Sequence, residues 1–168
     1  VGLLVDTVAD ARAAGPEHDW QLDLAVLEPP AGATPQEAED FLPEPPLVIG
    51  DEARLRQVIV NLLANARVHT PAGSHVTTTL TREGDALMVR IHDDGPGIAP
   101  DVRDRLFERF ARGDSSRERR TGSTGLGMSI AQAIVQSHGG SIDVDSSTAP
   151  EDHGTTFTVR LPAAVVEE

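Results

Sequence analysis

Two asparagines, Asn61 and Asn65, stand in an otherwise apolar run of Leu62, Leu63, Ala64 and Ala66. Four residues apart, they stack on one face of a helix. Asparagine is a poor helix former and its carboxamide is costly to bury unpaired, so two in line need a reason. A second stretch, IHDDGPGI over 91–98, ends an alternating strand in Asp93 and turns on Gly95 and Gly97. Glycine tolerates positive φ and lets backbone approach a flat ligand, while a carboxylate at a strand end can accept from an amino group. The same letters also make an ordinary Asp-Gly turn. A third stretch, GSTGLGMSIAQAIV over 122–135, is a glycine-rich loop opening into an apolar helix. Free N–H groups and a helix N-terminus suit a phosphate there, although a flexible hinge has the same composition. LFERF, 106–110, sets Phe107 and Phe110 at i, i+3, a spacing that core packing also produces.

Composition bounds what these residues can serve. A chain of 168 residues with net charge −13 and pI about 4.7 suits one globular domain and disfavours nucleic acid and anionic membranes as partners. Cysteine is absent, which removes disulfides and thiolate metal sites. All 14 basic residues are arginine, so no catalytic lysine exists, and seven of them lie between 103 and 120. That cluster reads equally as a solvated face or as a surface for an anion.

The elements that would position these stretches follow from periodicity. Residues 1–14 have helical spacing up to Gly15-Pro16, and 20–28 alternate as a strand. Residues 29–46 carry six of the 12 prolines and read as a long loop, followed by a short strand at LVIG, 47–50. Asp51 caps a helix to about residue 68, and 74–82 with 86–93 form a hairpin around REGD. A short helix near 100–110, a polar stretch 111–124, a helix 125–138 and two closing strands complete the chain. The expectation is an α/β (α+β) two-layer sandwich: a mixed, mainly antiparallel sheet with helices on one face.

In their order, QVIVNLLANA, DDGPGI, LFERF, GSTGLGMSI and GTTFTV resemble the N, G1, F and G2 boxes and closing strand of the catalytic ATP-binding domain of sensor histidine kinases. That domain has the Bergerat (GHKL) fold, shared with gyrase, Hsp90 and MutL. The resemblance runs from about residue 19 to 161 and implies ATP and Mg²⁺ as ligands. It implies that Asn65 ligates the metal, since a carboxamide oxygen suits a hard cation that keeps waters and bridges phosphates. Asn61 falls where hydrolysing relatives carry a water-activating glutamate; a carboxamide is no general base, which favours a kinase over an ATPase. Asp93 matches the aspartate that binds the adenine amino group, with Gly95, Gly97 and Ile98 beside the base. Phe107 and Phe110 match the F box, and Gly122, Thr124, Gly125, Leu126 and Gly127 the phosphate loop. Residues 111–124 match the ATP lid, with Arg112 facing the phosphates. Thr155 supports the pocket edge from the last strand.

The chain departs from the family pattern in places. Val68 stands where many relatives have a basic residue, leaving Arg67 and His69 flanking it to reach the phosphates, and Ser123 replaces a glycine of the G2 run. None of the six histidines is followed by the acid and proline of a phosphoacceptor. The resemblance therefore implies two parts. Residues 1–18 are the end of a linker helix from an absent dimerisation domain, and 19–168 are the catalytic domain. The γ-phosphate goes to a histidine on that separate domain and then to a response regulator. The isolated domain is expected to be monomeric and its parent a homodimer, membrane-anchored, with this part cytoplasmic. The alternative class is a Bergerat anti-sigma-factor serine kinase or a nucleotide-gated binding module.

Overall fold

The structure is a computed structural model describing residues 1–108 and 127–165. Phe110, Arg112, Gly122, Thr124, Gly125 and Leu126, and the expected lid over 111–124, lie outside the described residues.

Helix α1 spans Gly2–Ala14 and buries Leu4, Thr7 and Val8 at helical spacing. It stops at Gly15, whose carbonyl accepts from the Trp20 indole N–H at 2.7 Å. Strand β1, Asp19–Asp23, is shorter than the expected 20–28, because residues 25–27 fold into a 3-10 turn. The 29–46 loop contains a five-residue helix α2, Pro35–Glu39. Its Thr34 and Glu37 form a capping box, a local signal already legible in Thr34-Pro35-Gln36-Glu37. The expected strand at 47–50 does not form: Leu47 accepts one bond from the Ala164 N–H at 2.7 Å, and Ile49 is exposed.

Helix α3, Glu52–His69, starts where expected, with the Asp51 carboxylate accepting from the Arg54 N–H at 3.1 Å. β2 (His75–Glu83) and β3 (Ala86–Asp93) form the hairpin. A short α4, Pro100–Arg103, precedes α5, Gly127–Ser137, and the chain closes with β4, Ser141–Ala149, and β5, Asp152–Pro162. The sheet order is β1-β2-β3-β5-β4, parallel only between β1 and β2. This is the expected mixed, mainly antiparallel two-layer architecture.

α3 buries Val58, Ile59, Leu62, Leu63 and Ala66, and α5 buries Ala131, Ile134 and Val135, in one core with Val89, Ile91, Phe157 and Val159 of the sheet. Burial of this kind supplies the main stabilisation of each helix. A polar tie fixes the far ends of the two helices. His138 donates from Nδ1 to the Ile134 carbonyl at 2.7 Å and accepts at Nε2 from the Asp51 N–H at 3.0 Å. The ring occupies the space a Cβ at residue 50 would need, which is why glycine stands there.

Candidate functional site

Side chains alternate along a strand, so Asp93 shares the helix-covered face of β3 with Val89 and Ile91. Thr155 shares that face of β5 with Phe157 and Val159, and the register pairs it directly with Asp93. A carboxylate is thereby carried to the end of an apolar row: Asp93 is only 6% exposed. Its Oδ1 accepts from the Gly95 N–H at 3.0 Å. Burial raises its pKa above the ordinary aspartate value, partly offset by that hydrogen bond and by nearby His92 and His69. The adjacent Asp94 faces a different environment. It accepts from the His75 backbone N–H at 2.8 Å and lies 2.9 Å from His75 Nδ1. Partial burial raises its pKa, but the contacts with His75 outweigh that and leave it lowered. Asp94 thus staples the turn to β2, while Asp93 keeps acceptor capacity in a dry setting.

The turn after Asp93 is held from both sides. Gly95 leaves no room for a Cβ, which would strike the Thr70 methyl and lie 2.9 Å from Asp93 Oδ1. Its carbonyl accepts from His153 Nδ1 at 2.7 Å. Gly97 has φ +78°, and a Cβ there would run into the Ser147 carbonyl. Ser146 Oγ accepts from the Ile98 N–H at 2.8 Å and donates to the Gly154 carbonyl at 3.0 Å. A hydroxyl has one proton, so in the 2.8 Å contact between Ser146 and Thr155 the threonine donates. The β4–β5 hairpin thus hangs the glycine turn in place. Gly97→Ala combines strain with a clash, and we expect it to cost roughly 2–4 kcal/mol or more. A melting temperature within a degree or two of wild type would contradict this.

α3 brings its asparagines to the same end. Both are half-buried. Asn61 Nδ2 donates to the Gly127 carbonyl at 3.3 Å, tying α3 to the start of α5. Asn65 makes no side-chain hydrogen bond among the described residues, so its carboxamide oxygen is free to take a ligand. His69 is exposed at the end of α3, close enough to Asp93 to act on its charge. Arg67 does not join the group: its aliphatic stem lies over Gly15 at the end of α1. Ile98 and Phe107 are partly buried against the core beside the turn. Among the described residues no group of three or more histidines and carboxylates could hold a metal. The arrangement offers a buried acceptor for an amino group, a backbone seat for a flat ring, and carboxamides near a helix start for an anion and its counter-cation. Ser146, Thr70 and His153 escaped the sequence reading. Each is an isolated polar residue whose role arises only from contacts across the fold.

The model of the histidine kinase-, DNA gyrase B- and HSP90-like ATPase family matches residues 50–165. The chain is 48% identical over 160 residues to the probable sensor histidine kinase TcrY of Mycobacterium tuberculosis, covering 95% of this chain and 29% of that protein. It is 40% identical over 114 residues to the sensor histidine kinase WalK of Bacillus subtilis, covering 67% of this chain and 18% of WalK. Among solved structures it resembles the mycobacterial sensor histidine kinase MprB, with TM-score 0.76 and 27% identity, covering 96% of this chain and 94% of that one. Full-length ShkA in complex with AMPPNP superposes with TM-score 0.71 at 25% identity, covering 99% of this chain and 30% of that one. The chain thus spans less than a third of the length of the curated relatives it matches. With the family model covering most of the chain and a relative this similar over nearly all of it, the chain belongs to the histidine kinase-, DNA gyrase B- and HSP90-like ATPase family.

Proposed function

We propose that this chain is the catalytic domain of a sensor histidine kinase, transferring the ATP γ-phosphate to a histidine on a separate dimerisation domain for relay to a response regulator. The observation that carries the reading is the buried carboxylate of Asp93 held by the glycine turn after it, together with Asn61 of α3 tied to the start of α5. In this reading Asp93 accepts from the adenine amino group, Gly95, Gly97 and Ile98 line the base, and Thr155 braces Asp93. Asn61 holds the start of α5 so that Gly127 and the loop before it meet the phosphates. Asn65 is the protein ligand to Mg²⁺, and His69 reaches the nucleotide from the end of α3. Arg112 and its lid neighbours, outside the described residues, serve phosphate closure. Mg²⁺, when bound, supplies neutralisation of the β- and γ-phosphates.

The chemistry asks little covalent work of the domain, which orients the γ-phosphate and excludes water. Asn61 supports a kinase over a hydrolase, because it carries no base and its amide proton is engaged with Gly127. The sensor kinase relatives favour histidine over the serine of the anti-sigma alternative. In the parent we place residues 1–18 as the linker from the dimerisation domain, the domain itself in the cytoplasm, and the whole as a membrane-anchored homodimer. No described helix is long and apolar enough to cross a membrane.

Radiolabelled ATP tests the reading. Alone, the chain should bind ATP with Mg²⁺ yet take up no stable label and hydrolyse slowly. With the parent's histidine-bearing hairpin in trans, acid-labile label should appear on the hairpin, weakly because the tether is absent. Acid-stable label on this chain alone would mean a different kinase class.

A further inference from the structure

His18 is a buried histidine that nothing in the proposed activity uses. Its side chain is 2% exposed, and it sits between α1 and β1. Backbone bonds on either side pin it to the loop after α3. The Glu17 carbonyl accepts from the Gly73 N–H at 2.8 Å, and the Asp19 N–H donates to the Ser74 carbonyl at 2.9 Å. The ring lies 5.8 Å from that of Trp20. Its Nε2 is 2.8 Å from Thr70 Oγ1. The single hydroxyl proton of Thr70 goes to the Ala66 carbonyl at 2.7 Å, so His18 Nε2 carries a hydrogen and donates. Nδ1 is then buried with no hydrogen-bond partner among the described residues, the Glu17 carboxylate standing 3.7 Å away.

An unsatisfied buried nitrogen is costly, and a phenylalanine would pack here without one. What histidine adds over an apolar ring is the one bond to Thr70. Thr70 in turn places its methyl where a Cβ on Gly95 would stand, and the Gly95 N–H holds Asp93 Oδ1. Three contacts therefore join the junction after α1 to the carboxylate: His18 to Thr70, Thr70 to Gly95, Gly95 to Asp93.

We propose that His18 is a positioning residue for adenine recognition, fixing Thr70 and thereby the seat of the Gly95 turn and the rotamer of Asp93. This rests on the reading of Asp93 as the adenine acceptor. The same chain of contacts links the end of α1 to the base pocket, because Trp20, whose ring is tilted 42° against that of His18, receives the Arg12 guanidinium on its carbonyl at 2.7 Å.

The test uses His18→Phe, His18→Gln and Thr70→Val, with ADP and ATP titrated by calorimetry with and without Mg²⁺ and each fold checked by thermal melting. His18→Phe should weaken ADP and ATP by the same factor, about three- to tenfold, and leave the Mg²⁺-dependent tightening unchanged. Glutamine places its Nε2 near that of histidine, so His18→Gln should bind within about twofold of wild type. Thr70→Val should match His18→Phe, and the double variant should be no weaker than either, as expected of two residues sharing one contact. Wild-type ADP affinity in a folded His18→Phe, a glutamine variant as weak as the phenylalanine one, or additive losses would each overturn the proposal. If His18→Phe fails to fold, Thr70→Val carries the same readout. A wild-type chain that binds no ADP, or an Asp93→Asn variant that binds it normally, overturns the adenine reading itself and this proposal with it.

Discussion

Asp93→Asn is expected to lose ATP binding by roughly 2–5 kcal/mol while the domain stays folded. The carboxylate offers lone pairs only, and the adenine amino group needs an acceptor. An asparagine amide that keeps its oxygen on the Gly95 N–H turns its NH₂ towards the base, setting donor against donor. Stability should move the other way or not at all. Burial raises the folded-state pKa, so Asp93 favours the fold below the unfolded aspartate range and that contribution is lost as pH rises through the raised value. At neutral pH the ionised group is a cost that asparagine removes. The variant should therefore melt no lower than wild type at pH 7, and the difference should shrink under acid. For the same reason, wild-type ATP affinity should begin to fall on acidification above the ordinary aspartate range. Calorimetry across pH checks both. Near wild-type affinity in the variant would remove Asp93 from the adenine site.

Asn65→Ala should abolish the Mg²⁺-dependent tightening of ATP and reduce phosphotransfer to the hairpin about a hundredfold or more, the loss of roughly 3 kcal/mol of charge neutralisation. Metal-free ADP binding should be nearly unchanged, because Asp93 and the glycine turn remain. Alanine is the better helix former by about 0.5 kcal/mol, and Asn65 loses no partner among the described residues, so α3 should not weaken. Superimposable Mg²⁺ titrations of the two proteins would place the ligand elsewhere. The contrast between the variants matters: one loses the base and the other the metal, so together they divide the site into its two recognition problems.

Elements with strong local signals were legible. α3 announces itself through an N-cap and an apolar period, and the β2–β3 hairpin through alternation around a tight turn. The expected strand at 47–50 failed because apolar, β-branched letters indicate strand propensity and do not supply a partner. In the 29–46 loop before it, the Thr34–Glu37 capping box was a local signal that the proline-rich composition obscured.

The sequence by itself determined which groups are available: two carboxamides one turn apart, a carboxylate beside glycines, and no base at Asn61. These follow from residue identity and short spacing, which a helix or strand converts to a fixed geometry. Tertiary structure alone decided which groups meet. Alternation along the strand already sets Asp93 apart from Asp94, yet only the pairing with Thr155 and the apolar rows around it bury that carboxylate while His75 holds its neighbour. Ser146 and His153 of the β4–β5 hairpin and Thr70 after α3 converge on one turn, with His18, from the far end of the chain, behind Thr70. No periodicity encodes that convergence, because hydrogen bonds between distant residues depend on sheet order and register, and those are settled by the packing of the whole core.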